Sequence, residues 1–317
     1  MAFGQILGSE KFGGTRDARV GDLTKLNTLA KSTIVDAINE NDEYLQIMKE
    51  VERSGDPTSL AGLHNSIFRG KCIGTSVSEE QWAQIKAGTF NDIWLGDYWT
   101  INGVNWRVAD FDFVWPGRGF DWGFAYHDTG KTKLVTEHHL MITPDTCLGN
   151  SVWDSNNLST AGYGGSTIRA NLKNTYLPMC KSAFGDAHIM TFAAYCSSAL
   201  SGTKYATSWA WYETQIELFA RRAIYRGCLI NNKYLEDPDM KSRDGILFAT
   251  PVSLFALAPK LLYNGTTWWT AYHNYIHNGN DYLMPVSIGA TPANGFWGSP
   301  YSAKSLGVRP WFCIYQA

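Results

Sequence analysis

Residues Ile93–Trp115 read IWLGDYWTINGVNWRVADFDFVW, and their pattern decides the fold class. Aromatic and β-branched residues gather in three runs, Ile93–Leu95, Tyr98–Ile101 and Trp106–Phe113, which read as strands. Between the second and third stands Asn102-Gly103, the dipeptide that accepts positive φ at both centres of a two-residue hairpin turn. Upstream, Ser78–Ala87 (SEEQWAQIKA) predicts a short helix with Ser78 as its N-terminal cap and Gly88 as its terminator. Downstream, Thr167–Leu177 and Trp211–Ile224 carry helical spacing, with Ile216, Phe219, Ala220 and Ala223 on one face of the second and Gly227 closing it. The apolar run Val308–Tyr315 predicts a closing strand. Short strands, two or three helices and long Gly/Asn/Ser connections make an α+β domain rather than an alternating βαβ one. No internal repeat is visible.

The first 57 residues follow different rules. Residues 1–22 are Gly-rich and polar without periodicity, and predict an extended attachment arm that orders on a partner. In 23–57, Ile34, Ile38, Asn41, Leu45 and Met48 fall at spacings of four, three, four and three, a heptad seam on a polar helix that Thr33 can cap with Asp36 three residues on. An Asn at one seam position fixes register and oligomer state. A single amphipathic helix packed on its own domain is the alternative, because two heptads are short. Ser54-Gly55-Asp56-Pro57 ends the helix, and residues 58–317 form the α+β domain.

With 317 residues, 44% of them hydrophobic, the chain can bury a large core. Its net charge of -2 is spread along the sequence, and no Lys/Arg cluster interleaves with the aromatics, so no nucleic acid is expected as a partner. No stretch reaches the roughly 18 apolar residues of a membrane span, and the start lacks a cleavable apolar run, so no membrane insertion and synthesis in a cytoplasm are expected. The six cysteines, Cys72, Cys147, Cys180, Cys196, Cys228 and Cys313, include no CxxC pair. They read as reduced, buried thiols rather than zinc ligands or disulfides.

Motifs that could carry chemistry are few. His138-His139 suggests metal or acid–base work, but neighbours on a strand point to opposite faces, which favours a structural role. His273 and His277 have the spacing of a zinc-binding helix without the intervening Glu or good helix propensity. Asp110 and Asp112 alternate on one strand, where two carboxylates could hold calcium or serve a glycosidase; a solvated edge strand is the preferred reading. No nucleophile elbow, phosphate-cradling loop or Cys/His constellation is present. Hence no catalytic residue, metal or cofactor is assigned.

Recognition has better support. Tyr263–Tyr282 reads YNGTTWWTAYHNYIHNGNDY, with four Tyr, two Trp, four Asn and two His but no Lys, Arg or Glu. Such mixtures concentrate in recognition loops, because aromatic rings give contact area at low entropic cost and amides both donate and accept. Beside it, Ser287–Gly307 (SIGATPANGFWGSPYSAKSLG) is rich in small residues and reads as surface loop. The candidate ligand contacts are therefore Trp268, Trp269, Tyr272, His273, Asn274 and Tyr275, then His277, Asn278, Asn280, Asp281 and Tyr282, and finally Asn294, Trp297 and Tyr301. Since adjacent strand residues face opposite ways, at least one of Trp268 and Trp269 is expected to be exposed.

Several segments also resemble known proteins. Leu23–Asp42, LTKLNTLAKSTIVDAINEND, resembles a short element near the N-termini of phage tail-fibre and virion-attached proteins. Phe68–Asp112, followed by TEHHLMITPD, STAGYGGSTIRANL, AFGDAHIM and the terminal GVRPWFCIY, resembles a family of uncharacterised structural proteins from phages and prophages of Gram-positive gut bacteria. The close, a Gly/Ser/Ala stretch running into GVRPWF, is similar to the end of C-type-lectin-like domains. In phage adhesins of that fold the segment before the final strand carries the variable binding residues. The family's WLRD-like run is replaced here by Trp268-Trp269-Thr270-Ala271, so no role of that Arg/Asp pair carries over.

The resemblance implies a virion protein assembled in the host cytoplasm, attached through its arm to other virion proteins and forming a homo-oligomer, a trimer by analogy. Its C-type-lectin-like domain would recognise a host-surface glycan or protein as a tail or head fibre. The alternative is architectural, a capsid decoration or fibre protein. A polysaccharide-degrading enzyme would rest on Asp110 and Asp112 alone.

Overall fold

Asn102 and Gly103 take φ values of 53° and 76°, the two left-handed centres that a tight hairpin needs, and the strands beside them pair as the sequence predicts. The computed structural model describes residues 60–116, 126–155, 161–200, 206–224, 251–274, 284–288, 296–298 and 304–317. All belong to one unit, Gly55–Ala317. The arm and the heptad seam lie outside the described residues.

In chain order the described elements are α1 (Ala61–Ser66), β1 (Cys72–Gly74), α2 (Glu79–Ala87), β2 (Tyr98–Ile101), β3 (Val104–Phe111), β4 (His139–Pro144) and β5 (Gly149–Val152). There follow α3 (Thr167–Asn171), a π-helical turn (Leu172–Tyr176), α4 (Leu177–Phe184), β6 (Phe192–Leu200), β7 (Ala206–Thr214), β8 (Glu217–Leu218) and α5 (Arg221–Ile224). The chain closes with α6 (Ser253–Leu257), β9 (Trp268–Asn274), β10 (Met284–Ile288), β11 (Phe296–Gly298), β12 (Ser305–Val308) and β13 (Pro310–Tyr315). The architecture is mixed α and β, mostly strand. One sheet runs β1-β2-β3-β4-β13-β8, a second β11-β10-β9-β12-β5, and β6 and β7 pair as a hairpin of their own.

Local chemistry explains the elements that the sequence predicts. Ser78 and Gln81 form a reciprocal capping box on α2, which ends at Gly88 in the left-handed conformation. Thr167–Leu177 is helical, and the helix runs on to Phe184. Its middle widens into a π turn just before Pro178, where the Leu177 N–H reaches back to Leu172 O. A proline inside a helix crowds the carbonyl four residues back, and the wider turn relieves that clash.

Several expectations are overturned. Ile93–Leu95 is not a strand, because the buried Asp97 carboxylate accepts from Trp94 N (2.8 Å), Lys71 N (2.9 Å) and Arg69 Nε and folds the segment into a turn. Leu95 keeps only an isolated bridge to Phe68. Trp211–Ile224 is not a helix: Trp211–Thr214 completes β7, paired with β6, and only Arg221–Ile224 is helical. Ile216, Phe219, Ala220 and Ala223 are all buried, but the first three lie in the links flanking β8 and only Ala223 is on the short helix, so they form no single helical face. Asp110 and Asp112 do not lie on a solvated edge. β3 is held between β2 and β4, and both carboxylates are buried.

The described cysteines are free, with Cys180, Cys196 and Cys313 buried, Cys147 partly so and Cys72 exposed, against the expectation of burial. Cys228 lies outside the described residues. Burial pushes the Cys180 thiol above the ordinary range, so it behaves as a small apolar group.

One residue, Arg309, joins the two larger sheets. β12 ends at Val308 in one and β13 begins at Pro310 in the other. Its buried guanidinium donates to Pro144 O (2.8 Å) and Leu261 O (2.5 Å) and lies over the rings of Phe255 and Trp268, each at 5.5 Å. Burial lowers its pKa to about 10, which leaves it charged at neutral pH. Arg309→Ala strips two carbonyls of their donor and opens a cavity, and is expected to cost about 3 kcal/mol or more in urea unfolding. Arg309→Lys should recover little of it, because an ammonium lacks the guanidinium's planar fork.

At the other end of the core, His64 packs against Phe90, Trp94 and Phe111 and hydrogen-bonds Ile93 O through Nδ1 at 2.6 Å. Burial lowers its pKa to about 4, from an ordinary 6.5. The unfolded chain therefore binds a proton between those values while the folded chain does not. Stability from this site is complete above pH 6.5 and falls as the pH drops toward 4. Between pH 7 and pH 5 the loss is expected to be about 2 kcal/mol by urea titration, and a His64→Asn variant should lack that part of the slope.

Candidate functional site

The aromatic segment that composition marks for recognition is divided by the fold. Trp268 and Trp269 open β9, and both rings are fully buried, against the expectation that one would be exposed. Each indole N–H is satisfied inside, Trp268 on Leu262 O (3.1 Å) and Trp269 on Ser151 O (2.8 Å). The reason is that β9 is an inner strand with packed groups on either side of it. Trp268 meets Phe219 and Arg309, while Trp269 meets the β5 backbone. Both residues serve the core, so their assignment as ligand contacts is corrected.

Tyr272, His273 and Asn274 continue β9, which pairs antiparallel with β10 in the register Asn274↔Met284. Residues 275–283, YIHNGNDYL, therefore connect two paired strands. Of the other predicted contacts, Trp297 falls in β11. Tyr275, His277, Asn278, Asn280, Asp281, Tyr282, Asn294 and Tyr301 lie outside the described residues.

Of the two carboxylates only Asp112 meets the paired histidines, and the two acids do not form a catalytic pair. A bulge between Val108 and Asp110 and a φ of 52° at Asp112 turn the two acids to different partners. Asp110 accepts from Ser253 N (2.8 Å), tying β3 to α6. Asp112 accepts from His139 N (2.9 Å) and meets His138 Nδ1 (2.9 Å). His138 precedes β4, so its ring lies beside the same carboxylate as His139, whose Nδ1 is 3.8 Å away. His139 Nδ1 donates to Glu137 O, and its Nε2 accepts from Val114 N, which fixes one neutral tautomer. Burial works to raise the Asp112 pKa, but the two histidines outweigh it and hold the carboxyl below its ordinary range. The cluster is a structural brace. Among the described residues no group of three potential ligands could hold a metal ion.

A concave site forms elsewhere, where α3 and the start of α4 face the end of β7. It is a cleft of about 320 Å3, lined by Gly164, Gly165, Arg169, Lys173, Leu177 and, across from them, Thr191 and Glu213–Ile216. Its wall is built around a buried acid. Glu217 accepts from Arg169 Nη2 (2.7 Å) and Nε (3.0 Å) and from Tyr163 Oη (2.6 Å). Burial and the neighbouring Glu217 charge raise the Tyr163 pKa, so its hydroxyl stays neutral and donates. Burial opposes the Arg169 charge, but Glu217 more than compensates and holds it protonated. The guanidinium also lies over the Tyr212 ring, 4.7 Å away. Gly164 fits because a Cβ there would stand 2.4 Å from that ring.

Sequence reasoning did not find this cleft. One signal was present: Glu217 is the only charge in Ile216-Glu217-Leu218-Phe219, and a carboxylate in an apolar run needs a buried cation from elsewhere. No family model matches the chain, and no curated protein or solved structure matches it. No helix among the described residues is long and apolar enough to cross a membrane.

The core role of the tryptophan pair is testable. Trp269→Ala is expected to lower unfolding free energy by about 3–5 kcal/mol, measured by chemical denaturation. A variant that unfolds like the parent would return that ring to the surface.

Proposed function

We propose that the chain is a phage virion structural protein that acts as a receptor-binding adhesin, with a C-type-lectin-like fold in residues 58–317. One observation supports the reading above the others. The segment Tyr263–Tyr282 is anchored at its start by two buried tryptophans in β9, while its Tyr, Asn, His and Asp residues continue into the 275–283 connection between β9 and β10. A rigid strand pair carrying polar and aromatic residues on its connection is the arrangement by which scaffolds present recognition loops. The ligand in this reading is a host-surface glycan or protein, held by ring stacking and amide hydrogen bonds. Attachment through residues 1–22 and a trimer built on the 23–57 seam complete the proposal, and no catalytic role is assigned.

The test uses the full chain and envelope fractions of the host cell. Tyr275→Ala and Tyr282→Ala are expected to weaken adsorption by about 1–4 kcal/mol each while leaving the melting temperature unchanged. Antibodies to the chain should label fibre tips on intact virions. Uniform capsid labelling, or variants that adsorb like the parent, would favour the architectural role instead.

A further inference from the structure

The cleft between α3 and β7 has chemistry that selects among ligand classes. Its volume of about 320 Å3 is at the small end of small-molecule sites, which run from roughly 300 to 1,000 Å3. Charge is balanced within it: Arg169 is neutralised by Glu217, and the exposed Lys173 on one side is opposed in sign by the exposed Glu213 on the other. A phosphate or carboxylate ligand would need a surplus of cations, and a basic ligand a surplus of acids. Neither surplus is present. The lining instead mixes donors and acceptors, Lys173 and Arg169 on the helical side with Glu213 and Gln215 at the end of β7, the Gln215 amide nitrogen being fixed on Ile189 O at 3.1 Å. Leu177 and Ala170 add an apolar strip. A ring bearing several hydroxyls, each able to donate and accept, with C–H groups to lay on that strip, satisfies such a lining.

We propose that this cleft is a binding site for one neutral saccharide unit. The Arg169–Glu217–Tyr163 network holds its wall in place before any ligand arrives, so little ordering is required on binding. The proposal rests on the adhesin reading only for the choice of surface sugars as probes.

The purified full chain is titrated with glucose, galactose, rhamnose and N-acetylglucosamine, and binding is read by saturation-transfer NMR. At least one sugar is expected to bind. Ala170→Trp adds a large side chain at an exposed helix position, so it fills the cleft without touching the core, and Lys173→Ala removes one donor. Both should weaken the sugar by about tenfold or more with an unchanged melting temperature. Binding that survives Ala170→Trp, or a panel in which no sugar binds, overturns the proposal. Envelope adsorption, measured in parallel, keeps the two readings apart. A chain that adsorbs through Tyr275 and Tyr282 but binds no sugar retains adhesion and loses the cleft, whereas one that binds sugar in the cleft but does not adsorb does the reverse.

Discussion

The buried guanidinium of Arg309 is the constraint on which the arrangement of strands depends. Consecutive strands β12 and β13 belong to different sheets, so the chain must change sheets within one residue, in an interior without water to solvate the backbone. At that step Val308 O accepts from Leu148 N and Pro310 O from Thr143 Oγ1, while Arg309 donates to two carbonyls of neighbouring segments, Pro144 O at the end of β4 and Leu261 O beyond α6, and lies over two aromatic rings. A buried cation is costly, and here hydrogen bonds, ring faces and the nearby Asp145 charge offset part of that cost. The same residue therefore fixes where the first sheet ends, where the second begins and how Trp268 lies against both.

Tryptophan plays the corresponding role in the rest of the core. Trp153, Trp268, Trp269 and Trp311 are all buried, and each indole N–H donates to a backbone carbonyl of another segment: Thr270, Leu262, Ser151 and Leu218 respectively. A buried indole gives a large apolar area and also demands a partner for its one donor, so each specifies a particular packing partner as well as filling space. Trp153 and Trp269 bond reciprocally between β9 and the segment around β5, which holds those strands together although β12 lies between them. This use of aromatic residues explains how a chain with 13 Trp can place so many of them inside without stranding polar atoms.

What was legible in the sequence is what local chemistry determines. The Asn102-Gly103 turn and the Ser78/Gly88 limits of α2 follow from dihedral preferences and from caps that act within four residues. The helical reading of Trp211–Ile224 failed because buried residues in the links flanking β8 and in α5 happen to recur at helical spacing, while pairing with β6 determines the backbone of Trp211–Thr214. Asp110 and Asp112 alternate as a solvated strand would, yet their partners, Ser253 and His138-His139, come from segments far along the chain. Trp268 and Trp269 were misread for the same reason: alternation tells which faces two residues take, but not whether both faces are covered. The mixed α and β class needed only the local signals, whereas the candidate cleft, assembled from residues of 164–177 with Thr191 and Glu213–Ile216, needed the fold.

The position of the buried pair Arg169–Glu217 links fold and site. Glu217 lies on β8, the outermost strand of the first sheet, and Arg169 on the helix that faces the β6–β7 hairpin. Among the described residues that hairpin shares no ladder with either larger sheet, and backbone bonds from Gly164 N to Ser197 O (2.8 Å) and from Ala193 N to Tyr126 O (2.7 Å) attach it together with side chains. Tyr163 binds Glu217, Ser197 Oγ receives Tyr163 N, and Tyr212 covers Arg169, which makes one connected group of contacts from β8 through the helix to both hairpin strands. Low dielectric strengthens each of these interactions and also penalises any of them left incomplete, so the group holds as a unit or not at all. The support behind the cleft wall and part of the hairpin's anchorage thus share Arg169, Glu217, Tyr163 and Tyr212, so a change that loosens one loosens the other.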